Sequence, residues 1–167
     1  MPALLNSVDP EGLEEFSVVF TDRSLNHMSG AFQQVMRDLS AWLGEVYNAE
    51  AVALVPGGGT YAMEAVARQF AKNQDVLVVR NGWFSYRGSQ IIETGGISAA
   101  TTVLKARPSG NEGQSPFAPA PIEEVTATIR AQKPGIVFAP HVETSAGVIL
   151  PEDYVTAMAA AAHEVGA

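Results

Sequence analysis

The chain contains no cysteine, which excludes disulfides and thiolate metal sites and removes any argument about redox compartment. Basic residues are scarce. Ten Lys and Arg stand against 18 Asp and Glu, a formal net charge of −8, and no basic patch breaks the acidic balance. Nucleic acid is therefore excluded as an expected partner. No run is long and apolar enough to cross a membrane, and the first residues lack the basic-then-apolar order of a signal peptide, so the expectation is a cytoplasmic protein without a membrane partner. Three familiar signatures are missing as well: the G-x-G-x-x-G dinucleotide fingerprint, the G-K-[ST] of a P-loop, and the G-x-S-x-G elbow of a serine hydrolase. His27 and His163 have no ligand-like spacing to His141, so no metal site is expected.

What is present describes a globular α/β protein. At 167 residues, 47% apolar and 17% charged, the chain suffices for one domain with a real core and is short for two. Phe32, Val35, Met36, Leu39, Trp42, Leu43 and Val46 recur with helical periodicity, which predicts an amphipathic helix over 28–46. Strands are predicted at 51–55, 75–79, 101–105 and 135–139, and helices at 60–72, 84–94, 122–132 and 152–165. Short strands alternating with helices of this length imply βαβ units, right-handed crossovers and a mostly parallel sheet in a three-layer α/β/α arrangement. The stretch 107–120, rich in Pro, Gly, Ser and Asn, reads as an irregular loop, either functional or mobile. Pro151, Glu152 and Asp153 look like a helix start, and Gly166 like the residue that ends it. The stripe Tyr154, Val155, Met158, Ala161, Ala162 and Val165 on that helix is expected to need a covering partner unless another strand follows.

Three segments have the makings of a site. In Pro56-Gly57-Gly58-Gly59-Thr60, glycines open a helix, so no Cβ obstructs an approaching anion and the first N–H groups point outward. The same segment also reads as a plain strand-to-helix turn. In Asn81-Gly82-Trp83-Phe84-Ser85-Tyr86-Arg87, aromatics follow a strand's carboxyl end, where open α/β sheets bind ligands; they read as a stacking platform or as core anchors of the next helix. In His141-Val142-Glu143-Thr144-Ser145-Ala146-Gly147, an imidazole, a carboxylate and two hydroxyls gather after another strand, either to orient a ligand or to satisfy their own loop.

Together and in this order, the three segments resemble the pyridoxal-phosphate-dependent class V aminotransferases of fold type I, the group containing the alanine–glyoxylate and serine–glyoxylate enzymes. The resemblance runs from Asp9-Pro10-Glu11 and Asp22-Arg23-Ser24 to Gly147-Val148-Ile149-Leu150-Pro151. It implies that Gly58, Gly59 and Thr60 hold the phosphate of pyridoxal 5'-phosphate. It implies that Phe84, placed by its spacing to Arg87, stacks on the pyridine ring. It further implies that Thr144 contacts the phenolic oxygen, with His141 and Glu143 as nearby structural groups.

The departure from the family is equally specific. Transamination requires a lysine bonded to the cofactor and an acid paired with the pyridine nitrogen. In the family both come after the segment ending at Gly147, and the only lysines here are Lys72, Lys105 and Lys133. The resemblance therefore implies an incomplete large domain, with residues 1–50 as an N-terminal arm and amphipathic helix. Residues 51–167 would form a partial cofactor-binding domain that ends before the expected Asp and Lys. The expected function is the N-terminal portion of an aminotransferase moving an amino group between a small amino acid and a 2-oxo acid such as glyoxylate or pyruvate, working as a homodimer. On its own this chain would carry no catalytic residue. The alternative is a non-catalytic α/β module that binds a phosphorylated ligand or a partner chain.

Overall fold

The computed structural model describes residues 28–167, which fall into two units divided after Pro56. The His27, Arg23 and N-terminal arm expectations lie outside the described residues. In the first unit, helix α1 (Gly30–Tyr47) begins where the Ser29 hydroxyl accepts the Phe32 N–H, and it ends at Asn48 in a left-handed conformation. Its apolar stripe is open: Val35, Leu39, Trp42 and Val46 are all exposed.

The second unit is organised around one strand. The β-branched run of β1 (Asp75–Arg80) pairs in parallel with β2 (Ala100–Lys105) on one side and with β5 (Ile136–Phe138) on the other. A strand flanked on both sides is apolar on both faces, and alternation sends its side chains to two different cores. Val76 and Val78 pack with Ala67 of α2 (Gly59–Phe70) and Ile92 of α3 (Trp83–Thr94). Leu77 and Val79 pack with Val125 and Ile129 of α4 (Ile122–Gln132) and with Tyr154 and Met158 of α5 (Glu152–Val165). The result is the expected three-layer α/β/α arrangement over a parallel sheet.

Local chemistry explains the helix ends. Pro121 and Pro151 precede α4 and α5, acids occupy both first turns, and Lys133 and Gly166 close the two helices in left-handed conformations.

Two expectations are corrected, those for 51–55 and for the stripe on α5, and the loop 107–120 gains a paired stem. Residues 51–55 form no strand, because no ladder partner meets them among the described residues and an isolated strand cannot satisfy its backbone. The stretch 107–120 is tied at its stem. There β3 (Arg107–Pro108) pairs antiparallel with β4 (Phe117–Ala118), Arg107 forms an ion pair with Glu124, and the Tyr154 hydroxyl donates to the Ala120 carbonyl at 2.8 Å. The stripe on α5 is covered within the chain, since Tyr154, Met158 and Ala161 are buried in the α4/α5 core.

Candidate functional site

At the carboxyl ends of β1 and β5 lies a cavity of about 290 Å³. Its walls include Met63 of α2, Val78 of β1, Phe84 and Gly88 of α3, and Phe138 and Ala139 at the end of β5. The walls are mostly apolar, as a site for a flat organic ring requires.

The glycine turn stands at the start of α2. Gly57 has φ 130°, and a Cβ there would fall 2.2 Å from the Tyr61 ring, so both the backbone and the space demand glycine. Gly58 is the N-cap and offers no side chain to the orphan N–H groups that follow it. Cβ atoms at Gly58 and Gly59 would meet nothing within 4 Å, so the helix end is open. Beside it, an Arg87 guanidinium N–H donates to Thr60 Oγ1 at 2.9 Å, and the same guanidinium lies 5.9 Å from the centre of the Phe84 ring. Uncapped N–H groups, the positive end of the helix dipole, a hydroxyl and an arginine together suit an anion such as a phosphate ester.

The start of α3 is capped by residues far along the chain. The hairpin of β6 (Val142–Glu143) and β7 (Val148–Ile149) turns Glu143 inward, where it is fully buried. Its carboxylate accepts the backbone N–H groups of Phe84 and Ser85, each at 3.0 Å, and the Ser85 hydroxyl at 2.6 Å. The Ser145 hydroxyl donates to the same carboxylate and accepts the Trp83 N–H at 2.8 Å. Burial alone would raise the pKa of this carboxyl. The hydrogen bonds from the Ser145 and Ser85 hydroxyls and from the backbone of Ser85 and Phe84 outweigh it, and the pKa lies below its ordinary value. The hairpin lies so close to the helix start that a Cβ at Gly82 would stand 2.6 Å from Ser145 Oγ and 2.7 Å from Glu143 Cγ. Next to Gly82, the Asn81 side chain is buried with neither amide atom hydrogen-bonded within the described structure.

The three segments singled out in the sequence thus meet through a continuous path. Thr60 bonds to Arg87, Phe84 lies one helical turn before Arg87, its N–H bonds to Glu143, and Thr144 follows Glu143. Both aromatics are exposed, but Phe84 lines the cavity, whereas Trp83 packs on Tyr86 with ring centres 5.5 Å apart. Thr144 and His141 are exposed and do not line the cavity; His141 contributes its carbonyl to the Leu150 N–H. None of the three lysines lines it either. Among the described residues no cluster of three His, Asp or Glu is placed to hold a metal, and no helix is long and apolar enough to cross a membrane. Ser145 was one of the two hydroxyls that the sequence offered, whereas Asn81 and Ser85 carried no expected role and Arg87 served only as a spacing mark. The 143/145 alternation and the three-residue step from Phe84 to Arg87 were the available signals.

Comparison with solved structures finds a likeness of fold. The structure is similar to that of a ureidoglycine–glyoxylate aminotransferase from Bacillus subtilis, with a TM-score of 0.65 and 25% identity. The match covers 82% of this chain and 33% of that one, so the chain spans about a third of the neighbour's length. No family model and no curated protein matches the chain.

Proposed function

We propose that this chain, whose fold is that of part of the large domain of a class V, fold type I aminotransferase, holds the phosphate and the ring of pyridoxal 5'-phosphate in the complete enzyme. The observation that carries the reading is the Thr60–Arg87 hydrogen bond, which joins an uncapped helix start to the helix bearing the cavity's aromatic. In this reading the Gly58, Gly59 and Thr60 backbone, with the Thr60 hydroxyl, binds the phosphate. Phe84 stacks on the ring from the cavity wall, and Thr144 hydrogen-bonds the phenolic oxygen. When bound, the cofactor supplies an electron-withdrawing ring for chemistry at the carbon bearing the amino group. The chain's own residues bind and orient it.

The complete enzyme would move an amino group between a small amino acid and a 2-oxo acid such as glyoxylate or pyruvate. It would act as a homodimer, which the open apolar stripe of α1 supports. Residues 1–50 would form the arm and helix, and 51–167 the partial cofactor domain. Alone the chain would be catalytically incompetent, because the cavity lining contains no lysine.

The test is titration with pyridoxal 5'-phosphate followed by borohydride reduction and peptide mass spectrometry. Saturable, reversible binding with no specifically labelled lysine is expected. No uptake would sink the cofactor reading, and one lysine labelled in proportion to uptake would sink the incompetence. A second reading, a non-catalytic module for a phosphorylated ligand or partner chain, draws on the self-covered stripe of α5. Binding of inorganic phosphate without any preference for the pyridoxal ester would favour it.

A further inference from the structure

We propose that Glu143 is a positioning residue that fixes the Phe84 ring and the Thr144 hydroxyl in one relation, so that both meet the cofactor ring as a unit. The inference rests on the cofactor reading above and deepens it.

The first turn of α3 takes its caps from the 143–145 segment. The N–H groups of Trp83, Phe84 and Ser85 bond in turn to Ser145 Oγ, Glu143 Oε1 and Glu143 Oε2. Gly82, at the N-cap position, has no side chain to do this. The Ser85 hydroxyl accepts the N–H groups of Asn81 and Gly82 and donates a hydrogen bond to Glu143. Every link therefore converges on one carboxylate. An unpaired carboxylate buried in this way would be strongly disfavoured, so its full set of donors makes it a rigid joint.

The joint lies between two groups of the proposed site. On one side, Phe84 donates its own backbone N–H to Glu143 while its ring lines the cavity. On the other, Thr144 is the next residue and is exposed where Glu143 is buried. The close approach at Gly82 leaves no slack between hairpin and helix.

Glutamine cannot replace this carboxylate. Each oxygen of Glu143 receives one backbone N–H, which cannot rotate to accept. An amide presents one acceptor and one donor nitrogen, so one backbone N–H would face another donor.

Pyridoxal 5'-phosphate and inorganic phosphate are titrated separately into the chain and its Glu143→Gln and Ser145→Ala variants by calorimetry, with induced circular dichroism reporting ring orientation. Glu143→Gln is expected to lose about tenfold in cofactor affinity along with the induced dichroism, and to keep its phosphate affinity. Cofactor affinity and dichroism equal to wild type would overturn the inference and leave the cofactor reading intact. Equal losses for both ligands would overturn it too, because Glu143 would then support only the domain. If Glu143→Gln does not fold, Ser145→Ala decides: about a threefold loss confined to the cofactor supports the inference, and no loss overturns it. Failure of the wild-type chain to bind pyridoxal 5'-phosphate would remove the cofactor reading, and the inference with it.

Discussion

Arg87 donates a hydrogen bond to Thr60 across 27 residues of chain, and in doing so leaves the threonine hydroxyl proton free to turn toward a ligand. The guanidinium also adds a charge beside the uncapped start of α2. Arg87→Gln is expected to weaken phosphate and pyridoxal phosphate binding together, by roughly 1 kcal/mol or about fivefold. Calorimetry with both ligands checks this, and selective loss of the cofactor alone would speak against a phosphate role.

Thr144→Val tests the hydroxyl assigned to the phenolic oxygen. Because Thr144 is exposed, the domain is expected to keep its melting temperature while cofactor affinity falls by about 0.5–1.5 kcal/mol. An unchanged affinity would remove Thr144 from the site.

Gly82→Ala is expected to destabilise the domain by about 1–3 kcal/mol, since the new methyl would be driven into Ser145 and Glu143. Urea denaturation measures it. A neutral result would mean that the hairpin can withdraw from α3.

The lowered pKa of Glu143 makes a pH prediction whose sign is fixed. A carboxylate stabilised in the folded state contributes fully above its unfolded pKa of about 4.3. That contribution is lost as pH falls from there through the lower folded value. Urea midpoints of wild type should therefore drop more steeply than those of Glu143→Gln between about pH 5 and the folded pKa. Parallel profiles would show that another group governs the acid limb.

Much of the fold could be read locally, because its signals are local. Pro121 with Glu123 and Glu124, and Pro151 with Gly166, mark helix ends without reference to the rest of the chain. The strand at 75–79 was legible from its β-branched run and extends one residue further, to Arg80. Residues 51–55 show the opposite case: their apolarity suits a strand, but a strand also needs a neighbour, and composition does not contain one. The site divides the same way. Gly58, Gly59 and Thr60 announce a helix start by adjacency, whereas the bond from Phe84 to Glu143 spans 59 residues and becomes visible only once the hairpin is folded back.

That span also sets an order of events during synthesis. The helix bearing Phe84 emerges well before the segment that caps it, with 58 to 62 residues separating donors from acceptors. Closing so long a loop is entropically costly and follows local helix formation in time. The helix that carries the cavity's aromatic therefore gains these distal caps only after residues 143–145 have emerged. A nascent chain stopped at Pro140 would have every residue of that helix but none of the acceptors that the N–H groups of Trp83, Phe84 and Ser85 find in 143–145.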